Sequence, residues 1–560
     1  MSTIGNGSQT WTLTRVMRIC AAAQMLSCLT YPSLLLAKTP DAVSGSATLT
    51  AMRRLGPQTG WAMNADALYW TDDDGKQWRQ ITPPKADTER IADVFFVNDA
   101  IGFALLANED RNGRVAPFRL AATVNGGGNW SLQSVDLLSS REAQLLSDRG
   151  SVSFTDSAHG WLLLRISSGS NFSRAMLFQT ADGGRNWKRL PDPPAAGSLQ
   201  FSGASAGTLI GGPSGNEVYQ TEDGGSAWKL QPTAAPIVGR SILSPNIANA
   251  VRANATASVP GSDVVDAHFS SAAQGWALIS AGHCDGPKTG CRQMTRLLAT
   301  ENAGVSWSTI TPASSEPQLS VSGPPTVSVP ASSHPVSLQP GFDACSAPGV
   351  GTMQTWWNSP FGDVGIYIGG VNRACGQPNL TASWVSQVAA QGWGFMPIWV
   401  GPQAPCSGIG QTFSGNAATA RSQGVGEAQA AQAAARALGL DQTVVYYDLE
   451  AYDSGSCGGA AAAFVDGWVS AMRAGNFIAG VYGSPYNANS DWRGIANVPD
   501  VVWLASWNGV RSVWDIAPLD NSLWYNAQRI HQYIGGHDEV WGGIRLNIDS
   551  DVEYAPVARP

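Results

Sequence analysis

Hydrophobic and polar positions follow two different rules along the chain. Up to about residue 310, short apolar runs are broken by polar turns, as in "VFFVNDAIGFALL" (94–106), "VSFTDSAHGWLLL" (152–164) and "AHFSSAAQGWALI" (267–279). Such alternation predicts short β-strands joined by hairpins. A second element recurs: "TDDDGKQW" (71–78), "TVNGGGNW" (123–130), "TADGGRNW" (180–187), "TEDGGSAW" (221–228) and "TENAGVSW" (300–307), all fitting T-x-[DN]-x-G-x-x-W. The Asp or Asn accepts backbone N–H groups in an Asx-type turn, the Gly supplies a conformation other residues resist, and the Trp buries a large ring. Hairpins with such turns, repeated every ~40–50 residues, predict a β-propeller. Five motifs are visible, and the 79-residue step from Trp228 to Trp307 leaves room for one more.

From residue 341 the rule becomes strand–helix alternation. Strands are predicted at "GFDAC" (341–345), "VGIYIGG" (364–370), "FMPIWVG" (395–401), "TVVYYDLE" (443–450), "FIAGVYG" (477–483), "VVWLASW" (501–507), "QRIHQYIG" (528–535) and "IRLNIDSD" (544–551). Helices are predicted at "GEAQAAQAAARALGL" (426–440), by propensity, and "GGAAAAFVDGWVSAMRAG" (458–475), by apolar spacing. Eight short strands with crossovers suit an α/β barrel of the (β/α)₈, TIM type. "HDEVWGG" (537–543) reads as a solvated turn in which His537, Asp538 and Glu539 are not ligands. Between the halves, 311–340 is rich in Pro and Ser and reads as a semi-extended linker. The expected organisation is thus an export segment at 1–37, an all-β propeller at 45–310, the linker, and the barrel at 341–560.

Composition narrows the function classes. The chain is 43% hydrophobic and 14% charged, with a net charge of −8. That charge argues against a nucleic-acid partner and gives no polybasic attraction to anionic lipid. Arg15 and Arg18 precede the mostly apolar "ICAAAQMLSCLTYPSLLLA", ending at Ala37. The order basic, apolar, small is that of a secretory signal peptide, and Gln24, Ser27, Thr30 and Pro32 make a poor membrane span. Lipidation at Cys28 is disfavoured because the apolar run continues past it. The mature protein is therefore expected outside the cytoplasm, with no stable membrane span. Six cysteines remain: Cys284, Cys291, Cys345, Cys375, Cys406 and Cys457. Export would oxidise them. Cys284 and Cys291 close a small loop. The other four allow three connectivities, and neighbour pairing, Cys345–Cys375 and Cys406–Cys457, is the expectation. "HCDGPKTGC" has too few ligands for a metal site.

Candidate chemistry lies at strand ends. Alternate residues of a strand face one side. Asp448 and Glu450 therefore point the same way, with Tyr446 below them. Asp343 ends the first predicted strand, and Asp549 and Asp551 end the last. Barrel closure would bring Asp343 towards Asp549. Like charges at close range raise a pKa, and an acid kept protonated near neutral pH can act as a general acid. A helix cap or a structural cation site would explain one such acid more readily than four.

"GFDAC", "YYDLEAY", "GVYGSPY", "VWLASW", "HQY" and "NIDSDVEY", in this order, resemble the family 25 glycoside hydrolases, the lysozyme-like muramidases. "GFDACSAP", "IGGVNRAC" and "PIWVGPQAPC" bring the resemblance closer to a related bacterial glycoside-hydrolase-like domain of unknown function. The resemblance covers 341–560. It implies a peptidoglycan-directed hydrolase, with Glu450 as general acid, Asp448 as its partner carboxylate, and Asp343 and Asp549 as supporting acids. Attack by Asp448 or by the sugar's own N-acetyl group are both open. Tyr446, Tyr482, Trp503, Trp507, Gln532 and Asp551 are candidates to line the glycan cleft. The first half resembles the Asp-box (BNR) propellers of sialidases, whose repeats are structural. "PFRL" at Arg119 is the one echo of a sialidase arginine motif, so sialidase activity is not expected. The leading expectation is a glycoside hydrolase acting on cell-wall polysaccharide, with a propeller that targets it or holds a protein or glycan partner. The alternative is a non-catalytic envelope protein that binds glycan. No cofactor or metal is implied.

Overall fold

The computed structural model describes residues 48–108, 118–137, 142, 146–232, 235–312 and 335–560. The export segment and most of the linker fall outside them.

The first half folds into five four-stranded antiparallel sheets, spanning 51–80, 89–134, 146–189, 197–231 and 263–309. Each is a meander in chain order, and the five form a propeller-like arrangement. First strands line the axis: a cavity of about 30 Å³ is bounded by Arg53, Asp93, Ser151, Leu199 and Asp266, one from each blade. The stretch between Trp228 and Trp307 supplies a two-stranded hairpin (237–242), a helical segment (245–258) and the fifth blade. No sixth four-stranded blade occurs among the described residues.

The repeated motif explains the regularity of the blades. In every copy the Thr hydroxyl hydrogen-bonds the Asp or Asn Oδ1 at 2.8–3.0 Å and accepts the Gly N–H at 2.9–3.0 Å. The same Oδ1 also accepts a backbone N–H at 2.8–2.9 Å, from Gln77, Asn129, Asn186, Ala227 or Ser306. Trp130 donates to Ile81 O of the preceding blade at 2.9 Å. Trp78 of the first blade donates to Ile310 O, just past the fifth, at 2.8 Å, which closes the ring.

All eight strands expected in the second half form a closed barrel: Pro340–Asp343, Asp363–Gly369, Gly394–Trp399, Val444–Asp448, Ile478–Gly483, Val501–Ala505, Arg529–Trp541 and Ile544–Pro556. It departs from regular (β/α)₈ alternation. The first seven strands run parallel, but the eighth is antiparallel to both neighbours. Full helices follow only the first four strands, at Val350–Trp356, Ala382–Ala390, Ala417–Ala437 and Ser454–Ala474. The seventh and eighth strands are one long hairpin, so no crossover helix is needed between them.

Two expectations are corrected. His537, Asp538 and Glu539 lie within the seventh strand, each paired with a residue of the eighth, and the turn falls at Gly542 and Gly543, with φ of +58° and +79°. The helix expected at 426–440 begins at Ala417, where the Asn416 side chain caps it by accepting from Thr419 N–H. Gly424 and Gly426 hide that early start from a propensity reading. Gly424 is there for packing: a Cβ would sit 2.1 Å from Phe464 O on the following helix.

Along the fourth strand, Val445, Tyr447 and Leu449 pack outward against the helices, whereas Val444 and Tyr446 join the cluster inside the barrel. Three disulfides form: Cys284–Cys291, Cys345–Cys375 and Cys406–Cys457. The second ties the end of the first strand to the loop after the second strand. The third ties the loop after the third strand to the helix at Ser454–Ala474. Both stiffen loops at the barrel mouth.

Candidate active site

The inward alternation that places Val444 and Tyr446 inside the barrel carries Asp448 and Glu450 to its mouth. Gln403, itself fully buried, fixes them from the loop after the third strand. Its Nε2 donates to Asp448 O at 2.7 Å, and its Oε1 accepts Glu450 N–H at 2.9 Å. Barrel closure places Asp343 directly opposite Asp549, and Gly341 opposite Asp551. Asp343 is held at both oxygens. Oδ1 accepts from Tyr367 Oη at 2.9 Å, and Oδ2 accepts from Gln532 Nε2 at 2.8 Å. Gln532 Oε1 in turn accepts from Tyr482 Oη at 3.0 Å and Trp507 Nε1 at 2.9 Å. Trp503 Nε1 donates to Asp551 Oδ1 at 2.8 Å. Tyr446 is turned to the barrel interior, where its hydroxyl donates to Pro556 O at 3.1 Å.

Asp343, Asp448 and Glu450 are each only 1% exposed, and Asp549 and Asp551 are fully buried. Burial penalises the charged form, and neighbouring carboxyls add repulsion. Asp448 is pushed well above the usual carboxylate range by burial, then by Glu450, Asp343 and Asp549. Asp549 is raised by burial and Asp343, against the pull of Arg165. Burial also raises Asp343 and Asp551. Glu450 is raised by burial to about 7, although the Gly169 N–H bond and Arg174 favour its charge. The group retains acid character near neutrality while a set of carboxyls surrounds it, a pattern suited to general-acid chemistry.

The mouth is not open. The hairpin loop 167–173 of the third propeller blade, "SSGSNFS", enters it. Gly169 N–H donates to Glu450 Oε1 at 2.7 Å. Ser170 Oγ donates to Asp343 O at 3.4 Å, and Asn171 N–H to Tyr367 Oη at 3.3 Å. The Asn171 side chain donates to Asn372 O at 2.9 Å and accepts Ala374 N–H at 2.6 Å. Phe172 packs against the cluster inside the barrel. The flanking strands add cations: Arg165 lies 5.1 Å over the Trp507 ring, and Arg174 donates to Ser407 O at 3.2 Å.

Several of these residues escaped the sequence reading. Tyr367 shares a face with Gly365, which pairs with Asp343, so the period of two pointed to it. Gln403 lies in "GPQAPC" beside Cys406, but nothing local to it signals an inward side chain. Gly169 and Asn171 lie in a polar hairpin with no apolar pattern. Arg119, the echo of a sialidase motif, bonds Glu89 through its guanidinium and is not on the axis cavity. Among the described residues no His, Cys, Asp and Glu grouping forms a metal site, and no helix is long and apolar enough to cross a membrane.

Residues 354–553 match the family described as "Rv2525c-like, glycoside hydrolase-like domain". The match lies within the carboxy-terminal half, which is thus similar to a glycoside hydrolase-like domain of the Rv2525c-like type. No protein with a curated description matches the chain. Among solved structures, YCF48 from Cyanidioschyzon merolae is 16% identical, covering 47% of this chain and 85% of that chain, with a TM-score of 0.26. An uncharacterized B. stearothermophilus protein is 18% identical, covering 38% and 95%, with a TM-score of 0.26. YCF48 bound to D1 peptide is 16% identical, covering 40% and 87%, with a TM-score of 0.23.

Proposed function

We propose that the barrel is a glycosidase of the cell envelope, acting on cell-wall glycan of the peptidoglycan type, with Glu450 as general acid. The observation that carries this reading is the mouth itself. Five carboxyl groups on or just past the first, fourth and eighth strands gather there, and Glu450 among them is raised to about 7. In this reading Glu450 protonates the leaving glycosidic oxygen, and Asp448 or the sugar's N-acetyl group supplies the second function such cleavage needs. Asp343 and Asp549 tune the pair by repulsion, and Tyr482, Trp503 and Trp507 line the cleft. The three disulfides accord with a protein exported past the cytoplasm. The repeat turns of the propeller resemble Asp boxes and serve structure, which leaves the propeller a targeting or scaffolding role.

The test is reducing-end release from purified peptidoglycan by a full chain whose loop 168–173 is replaced by two glycines, with and without Glu450→Gln. Release that vanishes in the Gln variant supports the proposal. Glycan binding without release by either chain would favour the second reading, a non-catalytic glycan-binding protein.

A further inference from the structure

We infer that the blade-three loop 167–173 is an internal plug, which must leave the barrel mouth before a glycan can reach Asp448 and Glu450. The inference rests on the glycosidase reading for its ligand, but the plug itself stands on contacts. A loop that served only to dock two domains would touch the rim and bury apolar surface. This one goes past the rim to the acids: Gly169 bonds the Glu450 carboxyl oxygen itself, and Ser170 reaches the Asp343 carbonyl, while Phe172 is its one apolar side chain packed inside the barrel. Asn171 is fully buried and satisfied on both sides of its amide by the loop after the second strand. Space is also committed. A Cβ at Gly169 would lie 3.4 Å from Asp448 Oδ2, 3.4 Å from Tyr367 Oη and 3.5 Å from Glu450 Oε1. The loop backbone thus lies directly against these groups, where a glycan would have to sit.

The chemistry of the loop matches what it displaces. A backbone amide at the Glu450 carboxyl and a serine hydroxyl at the Asp343 carbonyl are donors of the kind that an N-acetylated sugar also carries. The arginines reinforce the seat. Arg149 and Arg165 donate to Gly536 O at 2.7 and 3.3 Å, and Gly536 N–H bonds Asp549. The plug therefore occupies the place of substrate, and the strands beside it are tied to the barrel at Gly536 O and, through Arg174, at Ser407 O.

The test compares the full wild-type chain, the full chain with 168–173 replaced by two glycines, and Asn171→Ala. Carbodiimide with glycine ethyl ester labels accessible carboxyls, read by mass spectrometry, and reducing-end release from peptidoglycan is followed in parallel. We expect Asp448 and Glu450 to resist labelling in the wild type, to label at least tenfold faster in the shortened chain, and to label at an intermediate rate in Asn171→Ala. Release should rise at least tenfold with the labelling. Faster labelling without release from any chain would keep the plug and overturn the glycosidase reading. Equal labelling and equal release by wild type and shortened chain would overturn the plug. If the shortened chain does not melt cooperatively, the same comparison with Asn171→Ala decides.

Discussion

Gly169 of the third propeller blade and Glu450 at the end of the fourth barrel strand share a 2.7 Å hydrogen bond across 281 residues of chain. The donor is a backbone amide, and the acceptor is the acid that the family resemblance singles out. The two halves of the molecule are thus joined at the candidate site rather than merely beside it.

Glu450→Gln keeps an oxygen for Gly169 but cannot give up a proton to a leaving group. In the loop-shortened chain the substitution should lower glycan hydrolysis at least 100-fold, as expected for loss of a general acid. The melting temperature of the full-length variant should stay at or above that of wild type, because the buried charge is removed.

Gln403 holds Asp448 O and Glu450 N–H together. Gln403→Ala leaves both buried groups without that partner. It should cost about 1–3 kcal/mol of stability in a denaturant titration. In the loop-shortened chain it should lower kcat more than it raises KM, since it disturbs orientation rather than a substrate contact.

Stability should fall as pH rises. Glu450 titrates at about 7 instead of its ordinary 4.5, and Asp448, Asp549 and Asp551 shift the same way. Between those values the folded protein holds protons that the unfolded chain has released. Their stabilising effect is complete below the unfolded value and is lost as pH passes the folded one. A melting series from pH 4.5 to 8 should show a declining midpoint, and Glu450→Gln should flatten part of that decline.

Lys288 is a second link between the halves. Its ammonium lies 3.8 Å from the Trp357 ring centroid and donates to Trp357 O at 3.0 Å, Ser359 O at 3.4 Å and Phe361 O. Lys288→Met keeps the stem and removes the charge. It should cost about 1–2 kcal/mol and speed amide exchange at 357–361.

Thr221→Val removes the hydroxyl that joins Asp223 Oδ1 and Gly225 N–H. It should lower stability by about 1–2 kcal/mol in the same titration without changing carboxyl labelling at the barrel mouth.

Much of this was legible in the sequence because the patterns are local. The period of two put Asp448 and Glu450 on one face, and the Thr-to-Trp motif gave one turn per blade. Ring closure then implied the Asp343–Asp549 pairing. The antiparallel last strand was not legible. "HDEVWGG" carries charges that suit a turn, whereas in the fold they decorate a hairpin that rises beyond the barrel, and only Gly542 and Gly543 make the turn. The plug was invisible for another reason. Its partners are far away in sequence, and apart from Phe172 its residues are small and polar, as in any exposed hairpin.

The loop at 167–173 is covalently part of the chain whose acids it covers. Such an occupant competes at an effective concentration set by geometry, commonly in the millimolar range for flexible tethers and independent of dilution. A soluble glycan fragment would therefore meet a rival that cannot be washed away, and weak ligands would fail to register at any protein concentration. A long polymer bound at many points would fare better, because each engagement keeps the next within reach. On the proposed glycosidase reading, the closed mouth would thereby favour assembled wall over its soluble debris.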